Sequence, residues 1–106
     1  MTQHHFHLDK LSRFSVHLDE LCSDLRSCQE ASPSELVDEI AATAGEIMLL
    51  LADHGEDELV RETLADARRL REAARTLQPP RAMLVEAGMA LTQDVARIIR
   101  EEKRAA

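Results

Sequence analysis

The chain has 106 residues, of which 44% are apolar and 31% charged, with only 3 glycines and 3 prolines. This composition is typical of one folded domain and excludes a disordered or collagen-like chain. Aromatic residues make up 2% of the chain, so it has no set of aromatic side chains on which nucleic-acid bases could stack. The formal net charge of −7 also disfavours direct nucleic-acid binding, which depends on basic side chains that release counterions.

The first predicted helix spans residues 8–29. Its apolar residues recur at alternating intervals of three and four, which places them on one helical face. They are Leu11, Phe14, Leu18, Leu21, Leu25 and Cys28. On one helix, Cys22 and Cys28 would lie about 9 Å apart, too far for a disulfide. Two free thiols favour a reducing cytoplasm, and no apolar run approaches the length needed to cross a membrane.

The second predicted helix spans residues 33–54. Ser32 is suited to cap it, Pro33 to occupy its first position, and Glu35 to complete a capping box, while Gly55 follows its last turn. Its predicted inward positions are Leu36, Ile40, Ala44, Ile47 and Leu51.

The third predicted helix spans residues 57–77 and the fourth residues 81–103. Asp57 or Glu56 can cap the third helix, and Pro79 and Pro80 end it because proline disfavours helix at the preceding residue. The inward positions of the third helix are Val60, Leu64, Ala67, Leu70, Ala74 and Leu77; those of the fourth are Leu84, Leu91, Val95 and Ile98.

Four helices of similar length joined by short loops predict an all-α fold, an antiparallel up-down four-helix bundle. Residues 8–106 are expected to form this single domain. Residues 1–7 are expected to be a flexible N-terminal arm that contains histidines.

Two of the helices carry more apolar residues than one buried stripe requires. Such residues either pack deeply in the bundle or form an interface, and we expect a partner-binding surface or a homodimer interface. The candidate interface residues are Ala41, Gly45, Met48, Leu49, Leu50 and Ala52 on the second helix and Val85, Met89, Ala96 and Ile99 on the fourth. Gly45 and Gly88 each cost about 1 kcal/mol relative to alanine inside a helix, which a close packing contact could offset.

The charged residues of the middle helices differ in pattern. The second helix has acids and no base, which predicts a negative rim beside its apolar ridge. On the third helix Arg61, Arg68, Arg71 and Arg75 follow one another closely. Acids three or four positions away predict a salt-bridged outer face, with the pairs Asp57–Arg61, Asp66–Arg69 and Glu72–Arg75.

Candidate chemistry is confined to the N-terminal histidines. After removal of Met1, the free amine, the backbone amides and His4 could bind Cu(II) or Ni(II) in a square plane, and His5 and His7 are further candidate ligands. A polar tail is the simpler interpretation. No pattern of a catalytic nucleophile, a phosphate-binding loop or a cofactor site is present, so we expect neither enzyme activity nor a cofactor.

The sequence therefore favours a small acidic, cytoplasmic interaction protein. Bacterial anti-activators, adaptors and export chaperones are often of this size, charge and helical content. We expect a regulatory protein that blocks or sequesters another protein, such as a transcriptional regulator, through an apolar helix face, without touching nucleic acid or membrane. The alternatives are an export chaperone for a secreted client, a copper- or nickel-binding protein, and an inhibitor that mimics DNA with the acids of the second helix.

Overall fold

The structure is a computed structural model that describes residues 7–30 and 33–105. Four α-helices occur in these ranges: α1 (Leu8–Ser27), α2 (Ser34–Leu51), α3 (Glu58–Ala74) and α4 (Arg81–Ala105). A short 3-10 helix, Ala52–His54, follows α2 directly. Every predicted helix is present, and each observed end lies within three residues of its predicted position.

The start of α3 shows how local sequence sets a helix boundary. The Asp57 carboxylate accepts hydrogen bonds from the backbone N–H groups of Leu59, at 2.9 Å, and Val60, at 3.4 Å. These bonds satisfy donors that have no partner inside the helix. The prediction that Asp57 begins this helix is therefore confirmed.

The start of α2 differs from its prediction. Pro33 is the N-cap rather than the first helical residue, and no side-chain hydrogen bond caps the helix. Ser32, predicted as the cap, lies outside the described residues. At the other end, Gly55 has a φ of −67°, so the chain leaves the 3-10 helix without a left-handed residue.

The prediction that Leu77 belongs to the inward stripe of α3 is wrong. The helix ends at Ala74, and the Leu77 side chain is fully exposed. Pro79 disfavours helical backbone at Gln78, and the Thr76 hydroxyl donates to the Ala73 carbonyl oxygen at 2.9 Å, so the chain turns away from the helix axis before Leu77.

The four helices form an up-down bundle in which α1 packs against α2 and α4, and α3 packs against α2 and α4. This confirms the predicted all-α four-helix bundle. Most predicted inward residues are buried, while Phe14, Leu36 and Leu64 are half-buried against the core. The buried apolar residues are Leu11, Leu18, Leu21, Cys22, Leu25, Val37, Ile40, Ala44, Ile47, Leu51, Val60, Ala67, Leu70, Ala74, Leu84, Leu91, Val95 and Ile98.

The two cysteines are free thiols in different environments. Cys28 follows the end of α1 and is half-buried, whereas Cys22 is almost fully buried on α1. A Cβ atom built on Gly88 of α4 would lie 2.3 Å from the Cys22 Sγ atom. Glycine at position 88 thus allows α1 and α4 to approach closely around the buried sulfur.

Candidate functional site

A groove between α2 and α3 contains most of the interface residues predicted on α2. It has a volume of about 750 Å³ and is open to solvent along the two helices. We call it the α2–α3 groove. It is lined by Asp38, Ala41, Ala42, Gly45, Glu46, Met48, Leu49 and Ala52 of the α2 side and by Leu64, Arg68, Arg71 and Arg75 of α3.

The apolar part of this groove is centred on Gly45. A Cβ atom built on Gly45 would meet no atom within 4 Å, so no contact inside the chain requires glycine at this position. Leu49, one turn further along α2, is 72% exposed. Met48 and Leu64 are half-buried and pack against the core from the groove side. This arrangement leaves an apolar surface that a second helix could cover.

The arginines that line the groove are Arg68, Arg71 and Arg75, which we call the arginine row. Only Asp66 and Arg69, of the three intrahelical pairs predicted on this helix, form an ion pair, with Arg69 Nη1 3.5 Å from Asp66 Oδ1. Asp57 instead caps the helix. Within the described part of the chain, no ion pair or hydrogen bond engages the guanidinium groups of the arginine row. Of the three pairs predicted for the salt-bridged outer face, Asp66–Arg69 is therefore confirmed, and the other two are not formed among the described residues.

Acidic residues form the opposite wall. Asp38 and Glu46 of α2 line the groove and are exposed, and neither forms an ion pair with the arginine row. The two walls thus carry charges of opposite sign, and no ion pair joins them among the described residues.

The predicted interface residues outside the groove are dispersed. Leu50, Val85 and Ile99 are half-buried and pack against the core, while Ala96 is exposed. Met89 is 40% exposed, and its sulfur accepts a hydrogen bond from Arg26 Nη2 at 3.2 Å. The structure therefore brings Ala41, Gly45, Met48, Leu49 and Ala52 together at one groove and does not bring the α4 residues to it.

A buried carboxyl on α4 was missed by the sequence analysis. Asp94 is 8% exposed, and its Oδ2 atom accepts no hydrogen bond from any N–H or hydroxyl donor of the described residues. Its other oxygen lies 3.7 Å from Arg97 Nη1. The spacing Leu91–Asp94–Ile98 follows the three-then-four rhythm of a buried stripe, and this signal could have identified Asp94.

Burial is the main reason why the pKa of Asp94 is raised to about 7, because the apolar surroundings disfavour the charged form. A hydrogen bond with the Asp66 carboxyl and the negative charges of Asp66 and Glu62 raise the pKa further, and the Arg97 charge opposes them. At pH values below about 7 the protonated form of Asp94 is therefore favoured, and this form can donate a hydrogen bond.

Cys22 and His17 are two further titratable side chains among the described residues. Burial, followed by the charge of Asp19, raises the pKa of the Cys22 thiol, which disfavours the reactive thiolate. His17 Nε2 lies 3.8 Å from Glu39 Oε1 and links α1 to α2 at the surface.

Of the predicted metal-binding histidines, His7 is exposed at the start of α1, and His4 and His5 lie outside the described residues. In the described ranges, no group of three or more histidine, cysteine, aspartate or glutamate residues is placed to hold a metal ion. Copper or nickel binding at the N-terminus stays a prediction.

A second cavity, of about 480 Å³, lies at the end of the bundle where α3 gives way to α4. Its apolar wall includes Leu25, Val37 and Leu84. Arg81 at its rim donates hydrogen bonds to the backbone carbonyls of Cys28 and Glu30, so its guanidinium holds the α1–α2 connection.

Comparison of the chain with protein-family models, curated proteins and solved structures finds no match. Among the described helices, none combines the length and the apolar character needed to cross a membrane.

Proposed function

We propose that the protein is a regulatory interaction module that binds another protein through the α2–α3 groove. The observation that carries this proposal is the open apolar surface at Gly45, beside the largely exposed Leu49. Glycine inside a helix is unfavourable by about 1 kcal/mol relative to alanine, and no contact within the chain compensates for it here. A partner that packs closely over Gly45 would supply the missing contact.

The shape and lining of the groove favour a helical partner segment. The groove runs along two adjacent helices, and its apolar lining is aliphatic, with one methionine and no aromatic residue. A helix that places an apolar face in such a groove is a recurring mode of peptide recognition. Charges of opposite sign on the two walls would orient the bound helix.

This binding mode suits an anti-activator. A helix that a transcriptional regulator needs for its own dimerisation or for DNA binding would lie in the groove and become unavailable. The acidic chain does not need to touch DNA for this purpose, since covering the regulator's helix is sufficient.

The substitution Leu49→Arg tests the proposal. Leu49 is 72% exposed, so a charged side chain there should leave the helical content by circular dichroism unchanged. Affinity capture from native extract, followed by quantitative mass spectrometry, should show a partner that the natural chain retains and the variant loses. Calorimetry with that purified partner should then show binding weakened about tenfold or more.

Val16→Arg is the matched control. Val16 is 56% exposed on α1, so the substitution adds the same charge to another exposed aliphatic position outside the groove. The control should bind like the natural chain. Equal capture by all three proteins, or equal loss in both variants, would contradict the proposed function of the groove.

A further inference from the structure

We infer that the α2–α3 groove binds a helix whose apolar face is bordered by acids, so that carboxylates of the partner pair with the arginine row. The inference rests on the proposed use of the groove for protein binding and names the chemistry of the bound helix. In a regulator, such a helix would serve dimerisation or another protein contact, whereas the arginine row would repel the basic helix that reads DNA.

The first argument is that the arginine row is displayed without being used. Arg68 and Arg75 are exposed and Arg71 is half-buried, and all three line the groove. Among the described residues, no ion pair or hydrogen bond engages their guanidinium groups, although Glu72 lies on the same helix and Asp38 on the opposite wall. A guanidinium offers paired donors that fit a carboxylate, so unpaired arginines at one groove favour an acidic ligand.

The second argument is that the acids of α2 leave the row largely uncompensated. Glu39 Oε1 lies 3.8 Å from His17 Nε2 of α1, so Glu39 is on the edge of α2 that faces α1. Glu46 follows Glu39 by seven residues, about two helical turns, and therefore lies on the same edge, away from the row. Asp38, the other acid in the described lining of the groove, is outnumbered by the three arginines of the row.

The third argument is the position of the row along the groove. The short connection after α2 makes α3 run antiparallel to α2, so the row, at the C-terminal end of α3, lies beside the N-terminal half of α2. The lining residues of the other half are uncharged and include Met48, Leu49 and Leu64. A helix fits this groove when its acids are gathered towards one end and its apolar face continues towards the other.

The spacing of the row matches the periodicity of a helix. Arg68, Arg71 and Arg75 are separated by three and four residues, so they form a line along α3 that spans about 10 Å. A bound helix that lies along the groove has the same rise per residue. Acids at intervals of three and four residues on one edge of that helix would therefore each meet an arginine, whereas lysines at these positions would face like charges.

Synthetic helical peptides test the inference. The peptides are stapled, about 15 residues long, and share an apolar face of leucine and alanine. They differ only along one edge, where the positions that match the arginine row carry glutamate, glutamine or lysine. Fluorescence anisotropy should show that the natural chain binds the glutamate peptide about tenfold more tightly than the glutamine peptide and about a hundredfold more tightly than the lysine peptide. Added salt should narrow both differences.

Two double variants locate the preference. Arg68→Glu combined with Arg75→Glu should reverse the order, so that the lysine peptide binds most tightly, because the row then carries net negative charge. The matched control is Arg13→Glu combined with Arg100→Glu, which makes the same change of charge at exposed positions outside the groove. This control should keep the order of the natural chain. Circular dichroism verifies that both variants are helical.

Several results would overturn the inference. These are a natural chain that binds none of the peptides at about 0.1 mM, well above a micromolar dissociation constant, equal binding of the three peptides, or an order that the variant of the row leaves unchanged. The proposed function is judged separately by the Leu49→Arg and Val16→Arg capture. A partner lost only in Leu49→Arg, together with peptides that bind equally whatever their charge, would leave the function standing and remove the acidic helix.

Discussion

Gly45 and Gly88 both lie inside helices, yet they have opposite surroundings. Around Gly88, α4 approaches α1 so closely that an added Cβ atom would lie 2.3 Å from the buried Cys22 sulfur. Around Gly45, α2 borders an open groove, and an added Cβ atom would meet nothing within 4 Å. The first glycine is explained by packing within the chain, and the second is not.

Close packing in this small bundle occurs between α1 and α4 and not on the outer side of α2. The inner contacts of α4 are tight enough to hold Gly88 against a sulfur and to bury the Asp94 carboxyl. The outer side of α2 instead keeps an apolar groove open beside Leu49. The first region is closely packed within the chain, whereas the second stays open to solvent.

The largest effect is expected from Asp94→Asn, which tests the tight packing of α4. A carboxyl with a pKa of about 7 in the folded chain and 3.8 when unfolded binds more protons in the folded state between these values. The contribution of Asp94 to stability should therefore be fully present below pH 3.8 and be lost as the pH rises towards about 7. Asparagine resembles the protonated acid and does not ionise, so it removes this loss. At pH 8 the free energy of unfolding of the variant should therefore be about 2–4 kcal/mol higher than that of the natural chain.

Urea denaturation at pH 4.5 and at pH 8 measures this difference, which should be much smaller at the lower pH (within one unit of the usual aspartate pKa of about 3.9). Glu86→Gln, an exposed acid on the same helix, is the control and should change stability little at either pH. A constant difference between Asp94→Asn and the natural chain across this range would contradict the raised pKa of the buried Asp94 carboxyl.

The next effect is expected from Gly88→Ala. The added methyl group clashes with the Cys22 sulfur, and overpacking of this kind costs about 1–3 kcal/mol, partly offset by the better helix propensity of alanine. The net loss in the free energy of unfolding should be up to about 2 kcal/mol. Cys22→Ala makes room for the methyl group, so the double variant should be more stable than the sum of the single losses implies. A double-mutant cycle without coupling would show that α1 and α4 are not in close contact here.

The smallest effect is expected from Gly45→Ala. Since no atom lies near the added methyl group, only helix propensity changes, and the free energy of unfolding should rise by about 1 kcal/mol. The measurement is made on dilute purified chain in the Leu49→Arg background, so that the α2–α3 groove stays empty. A loss of stability would mean that Gly45 is packed like Gly88, and the contrast between the two regions would disappear.

Much of the candidate site could be anticipated from residue patterns. The excess of apolar residues on α2 predicted an interface, and the structure collects Ala41, Gly45 and Leu49 at one groove. The same reasoning could not tell that Val85 and Ile99 on α4 pack against the core, because periodicity does not show how far a neighbouring helix extends over a face. Sequence spacing also assigned arginines to partners on their own helix, where exposed pairs contribute too little to decide side-chain positions.

The sequence by itself determined the four helices and most of the buried stripe. Helix propensity, apolar periodicity, the Asp57 cap and the two consecutive prolines act within a few residues of one another, so they can be recognised without knowing the neighbours. Only the tertiary structure showed that Gly45 and Gly88 have different surroundings, that Leu77 is exposed and that Asp94 is buried. Each of these outcomes depends on which atoms of another helix lie nearby, and that distance is set by the packing of the whole bundle.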